Sequence, residues 1–158
     1  MVKATGEHMG VVSGLVRASF LVSAVYAESA REYGITSQQG QLLCVLMAQP
    51  YGMSALGGIL GLAKSSLTEL VDRSAQRGLV RREPDPRDGR AVRVALTDRG
   101  SELAEDFYTE TCRRIDQLPA GLTADERAAL AGLLGRVVED NQVPVVFLEP
   151  ADTASHKR

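Results

Sequence analysis

Residues 79–100, LVRREPDPRDGRAVRVALTDRG, constrain this chain more than any other stretch. Apolar and polar residues alternate on both sides of DPRDGR, the period of a half-buried strand. The centre is dense in Pro, Asp and Gly, residues that reverse a chain. The pattern predicts a β-hairpin with strands over 79–83 and 91–96. A loop that only turns the chain needs Asn-Gly or Asp-Gly and little else. Arg87 and Arg90, flanking Asp88 and Gly89, are surplus to that need and imply a tip that reaches outward.

Helical patterns flank the hairpin. Residues 9–33 place Leu15, Phe20, Val22, Val25 and Tyr26 at helical spacing, and Gly34 follows as a stop. Thr36 with Gln39 predicts a capping box for a second helix, with Leu42, Leu43, Leu46 and Met47 inward and an end before Pro50. Ser54 is placed to cap a short third helix over 55–60, which Gly57 and Gly58 weaken. Gly61 and Leu62 turn the chain into a fourth helix over 63–77 with Leu67, Leu70 and Val71 buried and Gly78 as its end. Thr97 caps a fifth helix reaching about Leu118, and Pro119 and Gly121 break it. Thr123 and Glu126 form a second capping box for a helix carrying Leu130, Leu133, Leu134, Val137 and Val138. Pro144 opens a tail whose VVFL run should dock on the fold, and residues 150–158 are expected to be disordered.

The fold class is therefore mainly α with a small β-hairpin. Two short helices joined by a turn, followed directly by a hairpin, make a winged helix-turn-helix lobe. A chain of 158 residues with 44% hydrophobic and only 4% aromatic content, and no Trp, has an aliphatic core of the kind helices build. The long first helix spreads its apolar residues widely around its circumference, more than one small core needs, which points to contact with another chain.

Charge narrows the function. The net charge is −2, but its distribution is uneven. Residues 64–99 hold nine Lys/Arg and six Asp/Glu, a local +3, which leaves −5 for the rest. The positive excess is gathered on the fourth helix and the hairpin, as nucleic-acid binding requires. Cys44 and Cys112 lie far apart, and His8 and His156 sit near the termini, so no metal site is expected. No cofactor is implied. There are no paired carboxylates, no nucleophile motif and no phosphate loop. The GGILG run at 57–61 has no strand before it, so no catalytic residue is assigned and an enzyme is not expected. Residues 9–27 are apolar, but Glu7 and Arg17 argue against a signal peptide, and Arg17 with several serines against a membrane span. A cytoplasmic protein with free thiols is the expectation.

On the fourth helix, Lys64, Ser65, Ser66, Thr68 and Glu69 lie away from the Leu67, Leu70 and Val71 face. Hydroxyls can bond base edges or phosphates, and Glu can accept from cytosine N4. Arg73 and Arg77, one and two turns on, suit phosphate contacts.

The stretch over 62–100, with VDR, RGLV, DPRDGR and LTDRG at their spacings, resembles the MarR family of bacterial transcription regulators. The resemblance implies a homodimer. Residues 9–34 and 100–148 would form a helical dimerisation region and 36–99 the DNA-binding lobe. Its partners would be a double-stranded, pseudo-palindromic DNA operator and a small-molecule ligand held between the dimer region and the lobes. Arg17 is the candidate anion partner for that ligand. The resemblance also implies that Arg90 enters the minor groove while Asp88 braces the wing, often through an arginine. The sequence departs from the family at Gly57, Ser74 and Ala63, where small Ala, core Leu and capping Ser are usual. The function expected is a ligand-responsive homodimeric repressor. The alternatives are a winged-helix protein-interaction module, or a redox regulator working through Cys44 or Cys112. Cys44 among Leu42, Leu43 and Leu46 has the setting of an inert thiol.

Overall fold

In a computed structural model that describes residues 9–143 and Phe147, the helices are α1 (Val11–Glu32), α2 (Ser37–Ala48), α3 (Met53–Leu60), α4 (Lys64–Gln76), α5 (Asp98–Gln117) and α6 (Ala124–Asp140). The strands are β1 (Tyr51–Gly52), β2 (Val80–Asp85) and β3 (Asp88–Leu96). The expected winged helix-turn-helix, mainly helical with a small sheet, is the observed fold.

The ends of the helices follow the local chemistry. Thr36 Oγ1 accepts from Gln39 N, and Gln39 Oε1 accepts from Thr36 N, each at 3.1 Å. Thr123 and Glu126 make the same reciprocal pair at the head of α6, and Thr97 accepts from Gly100 N at the head of α5. α1 and α4 both stop in a Schellman turn. Gly34 N donates to Arg31 O and Ile35 N to Ala30 O, while Gly78 N donates to Ala75 O and Leu79 N to Ser74 O. Such a turn needs a left-handed residue, which Gly34 and Gly78 supply at φ +63° and +70°. Two expected starts move. α1 begins at Val11 after Gly10. α3 begins at Met53 with Gly52 as its cap, so Ser54 is already inside the first turn and caps nothing. The extended backbone of Gly52 belongs to β1 and runs straight into the helix.

The sheet is antiparallel in the order β1-β3-β2. The short β1 was not expected. It pairs Tyr51 with Val94 and Gly52 with Arg93, and two residues are too few to show alternation. The hairpin strands run further than the sequence pattern predicts. Val80 pairs with Leu96 and the ladder continues to Asp85 opposite Asp88, with an irregularity between Pro84 and Asp85. Only Pro86 and Arg87 are left at the tip. Pro84 is tolerated because β2 is an edge strand, where a missing N–H breaks no second ladder.

α2 is the centre of the core. Leu42, Leu43, Cys44, Val45 and Leu46 are all buried, so the middle of the helix is covered all round. Leu56, Leu67, Val71, Leu79, Val94 and Phe107 close around it. Met47, expected inward, is instead 37% exposed. It lies in the last turn of α2, at a groove shared with Pro50, Arg81 and Leu96 where no element covers it. Ser74 stands in the core at 0% exposure, and its hydroxyl is satisfied by donating to Leu70 O at 2.8 Å. Phe147 packs on Tyr108 and Tyr26 with ring centroids 4.8 and 5.9 Å away. The rest of the VVFL run and residues 150–158 lie outside the described residues.

α1 packs on α5, and one cation ties them. Arg114 on α5 reaches Glu32 at 2.6 Å and Glu28 at 3.3 Å on α1, and Glu110 at 2.6 Å on its own helix. Beyond this contact the apolar surface is open. Val12, Phe20 and Leu21 of α1 are 78%, 69% and 54% exposed, and α6 has no buried residue although it carries Leu130, Leu133, Leu134, Val137 and Val138. By length and composition alone α1, at a mean hydropathy of 1.4, could cross a membrane.

Candidate nucleic-acid interface

α4 divides its residues cleanly between two faces. Leu67, Leu70, Val71 and Ser74 are buried. On the other side Lys64, Ser65, Thr68, Glu69, Asp72, Arg73 and Gln76 line an open groove of about 860 Å³. The spacing i, i+4, i+8, i+12 from Lys64 through Thr68 and Asp72 to Gln76 makes one stripe along the helix. Five of the residues singled out from the sequence, Lys64, Ser65, Thr68, Glu69 and Arg73, line the groove, and Ser66 is exposed beside it. Asp72 and Gln76 were missed, and the same spacing would have found them. Ser65 and Ser66 do not cap the helix; Ala63 occupies the cap position and offers no side-chain acceptor.

The stripe carries its own pairing. Arg73 Nη2 donates to Glu69 Oε1, an exposed pair one turn apart. Thr68 Oγ1 donates to Lys64 O at 2.9 Å, and the residue is exposed. Arg82 on β2 reaches Asp72 at 2.7 Å. Arg77 is turned away from the groove; its Nη1 donates to Gln39 Oε1 at 3.1 Å.

At the base of the hairpin, Glu83 accepts from Arg93 Nε at 2.7 Å and Arg81 Nε at 3.2 Å. The hydrogen bond from Arg93 holds the Glu83 carboxyl below the usual carboxylate range. Arg81 Nη1 also donates across the hairpin to Leu96 O at 2.6 Å. At the tip, Asp85 Oδ1 accepts from Arg87 N at 2.9 Å and Asp88 Oδ1 from Arg90 N at 3.0 Å. Asp88 was expected to brace the wing through an arginine side chain. It braces it through the Arg90 amide, because two residues is the reach of an aspartate to its own backbone. Gly89 lies within β3, and the left-handed glycines among the described residues are Gly34, Gly61 and Gly78. The ladder runs on to Asp88 and needs no left-handed residue there. Neither Arg87 nor Arg90 makes an ion pair among the described residues, so the wing ends in two exposed, uncommitted cations.

Arg17 lies on the exposed face of α1, its guanidinium 3.9 Å from Met9 Sδ. A cavity of about 290 Å³ opens elsewhere, between α1, α2 and α3, lined by Tyr26, Gln41, Cys44, Val45, Ile59, Leu60 and Phe147. Burial, and then the neighbouring Cys112, push the Cys44 thiol up to about 12. No cluster of His, Cys, Asp and Glu able to hold a metal occurs among the described residues.

A polar helix stripe beside a hairpin with two uncommitted arginines is the geometry of a DNA-reading head. The model of the MarR family matches residues 33–91. The multiple antibiotic resistance protein MarR of Escherichia coli is 31% identical over 142 residues, covering 86% of this chain and 99% of that one. The chain belongs to the MarR family. It is a DNA-binding transcription regulator and not an enzyme. The HTH-type transcriptional repressor NicR of Pseudomonas putida is a further relative, 31% identical over 76% of this chain and 77% of its own. A crystal structure of a mutant E. coli MarR complexed with operator DNA superposes with a TM-score of 0.68 at 29% identity, over 81% of this chain and 93% of that one.

Proposed function

We propose that this MarR-family chain is a homodimeric repressor that binds a pseudo-palindromic operator in the cytoplasm. The observation that carries the reading is the exposed α4 stripe from Lys64 to Gln76 on a helix joined to the wing through Asp72 and Arg82, with Arg87 and Arg90 exposed on that wing. Each subunit offers one such head. Lys64, Ser65, Ser66, Thr68, Glu69 and Arg73 face the major groove, with Glu69 and Arg73 exchanging one another for base or phosphate partners, and Arg90 enters the minor groove. Residues 9–34 and 100–148 form the dimerisation region and 36–99 the reading lobe. The bare apolar faces of α1 and α6 are the dimer surface: a helix with no buried residue, as α6 is, is stable only when another chain covers it. Repression is supported by the name of the relative NicR. A small ligand acts by preferring one spacing of the two heads.

Titration of operator and random DNA with Ser66→Ala and Thr68→Ala variants tests the reading. The operator, identified by genomic footprinting, should hold two half-sites about 34–36 Å apart. Operator affinity should fall more than affinity for random DNA. Equal losses on both would remove base readout from these side chains, and a concentration-independent monomer in sedimentation at micromolar protein would remove the dimer.

A further inference from the structure

Arg77 is the C-cap of the reading helix, directly after Gln76, and a free arginine there would suit a phosphate. Its guanidinium is not free. Nη1 donates to Oε1 of Gln39, 38 positions earlier in the chain. Gln39 is only 4% exposed, and the same oxygen already accepts from Thr36 N at the head of α2. Both lone pairs of one buried carbonyl oxygen are thus used, one by the start of α2 and one by the end of α4. Thr36 follows directly on the Schellman turn at Gly34 that ends α1. Arg77 is in turn followed by the Schellman turn at Gly78 that leads into β2. The residues lining the groove along α4 end at Gln76 and do not include Arg77.

We infer that Arg77 is a positioning residue, not a phosphate contact: through Gln39 it fastens the C-terminal end of the reading helix to the corner where α1 passes into α2, and so sets the angle at which α4 meets DNA. The inference rests on the reading of α4 as the helix that enters the major groove. A charged donor on a buried neutral acceptor is among the stronger hydrogen bonds a protein makes, and it is directional. A tilt of α1 in the dimer region moves Thr36 and Gln39, and α4 follows through this bond. Gln39 carries no charge and is buried, so it touches no phosphate. Any operator affinity lost with it is lost through geometry.

The experiment is a double-mutant cycle on Arg77→Ala and Gln39→Ala, read as operator affinity over a range of salt concentrations, with thermal melting as the check on folding. Each single variant should lose about tenfold in operator affinity, the worth of one charge-assisted hydrogen bond. Random-sequence DNA should be affected less. The double variant should lose little more than either single one, and the salt slope should not change. Gln39→Glu keeps an acceptor for both Thr36 N and Arg77, so it should fold and retain operator affinity even if Gln39→Ala melts early. A salt slope shallower by about 1.8 units for Arg77→Ala, from one phosphate contact in each subunit, would overturn the inference. So would additive losses in the cycle, or no loss for Arg77→Ala. Failure of the underlying reading of α4 looks different: Ser66→Ala and Thr68→Ala would then lose equally on operator and random DNA.

Discussion

Arg82 Nη2 on β2 lies 2.7 Å from Asp72 Oδ1 on α4, so one ion pair joins the wing to the reading helix. Its side chains are 37% and 50% exposed, and a pair that open to water contributes under about 1 kcal/mol to folding. Its effect on alignment is larger, because it fixes the hairpin against the helix before DNA arrives. Asp72→Asn should therefore leave the melting temperature almost unchanged while operator affinity drops severalfold. Melting curves and operator titrations on the same preparation check both halves.

Arg90 is exposed at the wing and makes no ion pair among the described residues. Arg90→Ala should weaken operator binding by about 1–3 kcal/mol per contact. With two wings in the dimer, the slope of log K against log salt should become shallower by about 1.8 units. Asp88→Ala should lower affinity with little change in slope, since Asp88 holds the Arg90 amide and no phosphate. An unchanged slope for a folded Arg90→Ala dimer would take the wing arginine out of the minor groove.

Hydrogen bonds from Arg113 and Arg114 hold the Glu110 carboxyl down at about 2, from an ordinary value of 4.5. A carboxyl depressed in the folded state stabilises the fold fully above its unfolded value. That stability is lost as pH falls from about 4.5 toward about 2. Acid titration followed by circular dichroism should show the loss in that window, and Glu110→Gln should flatten it. At neutral pH the same variant should leave α1 on α5, because Arg114 keeps Glu28 and Glu32, the partners that tie the two helices.

Two glycines sit where no side chain fits. A Cβ on Gly40 would overlap the ring of Phe107, which is fully buried, and one on Gly100 would overlap the Leu79 carbonyl. Overpacking a rigid core costs about 1–3 kcal/mol, so Gly40→Ala should lower denaturant stability by that amount. Gly100→Ala should cost more, since backbone must move and the hydrogen bond from Thr97 N to Leu79 O lies in the same place. Gly89→Ala is the control. A Cβ there meets nothing within 4 Å, and stability should hold.

Much of the fold was legible because its determinants are local. Thr36 with Gln39, Thr123 with Glu126, and the stops at Gly34 and Gly78 each act through hydrogen bonds spanning three to five residues, and the two chain periods separate helix from hairpin. The helix order, the hairpin and the outward stripe of α4 follow from these alone, as does the family resemblance. Tertiary structure decided whatever depends on residues far apart in the chain. β1 exists because Tyr51 and Gly52 meet Val94 and Arg93, and Met47 is open because nothing packs over the last turn of α2. Gly100 must be glycine because the Leu79 carbonyl lies against it. Arg77 looked like a phosphate ligand in a charged run, and its partner is a glutamine 38 positions away. A charge pattern along the chain says which side chains can bond. Only their positions in space say which of the available partners each has taken.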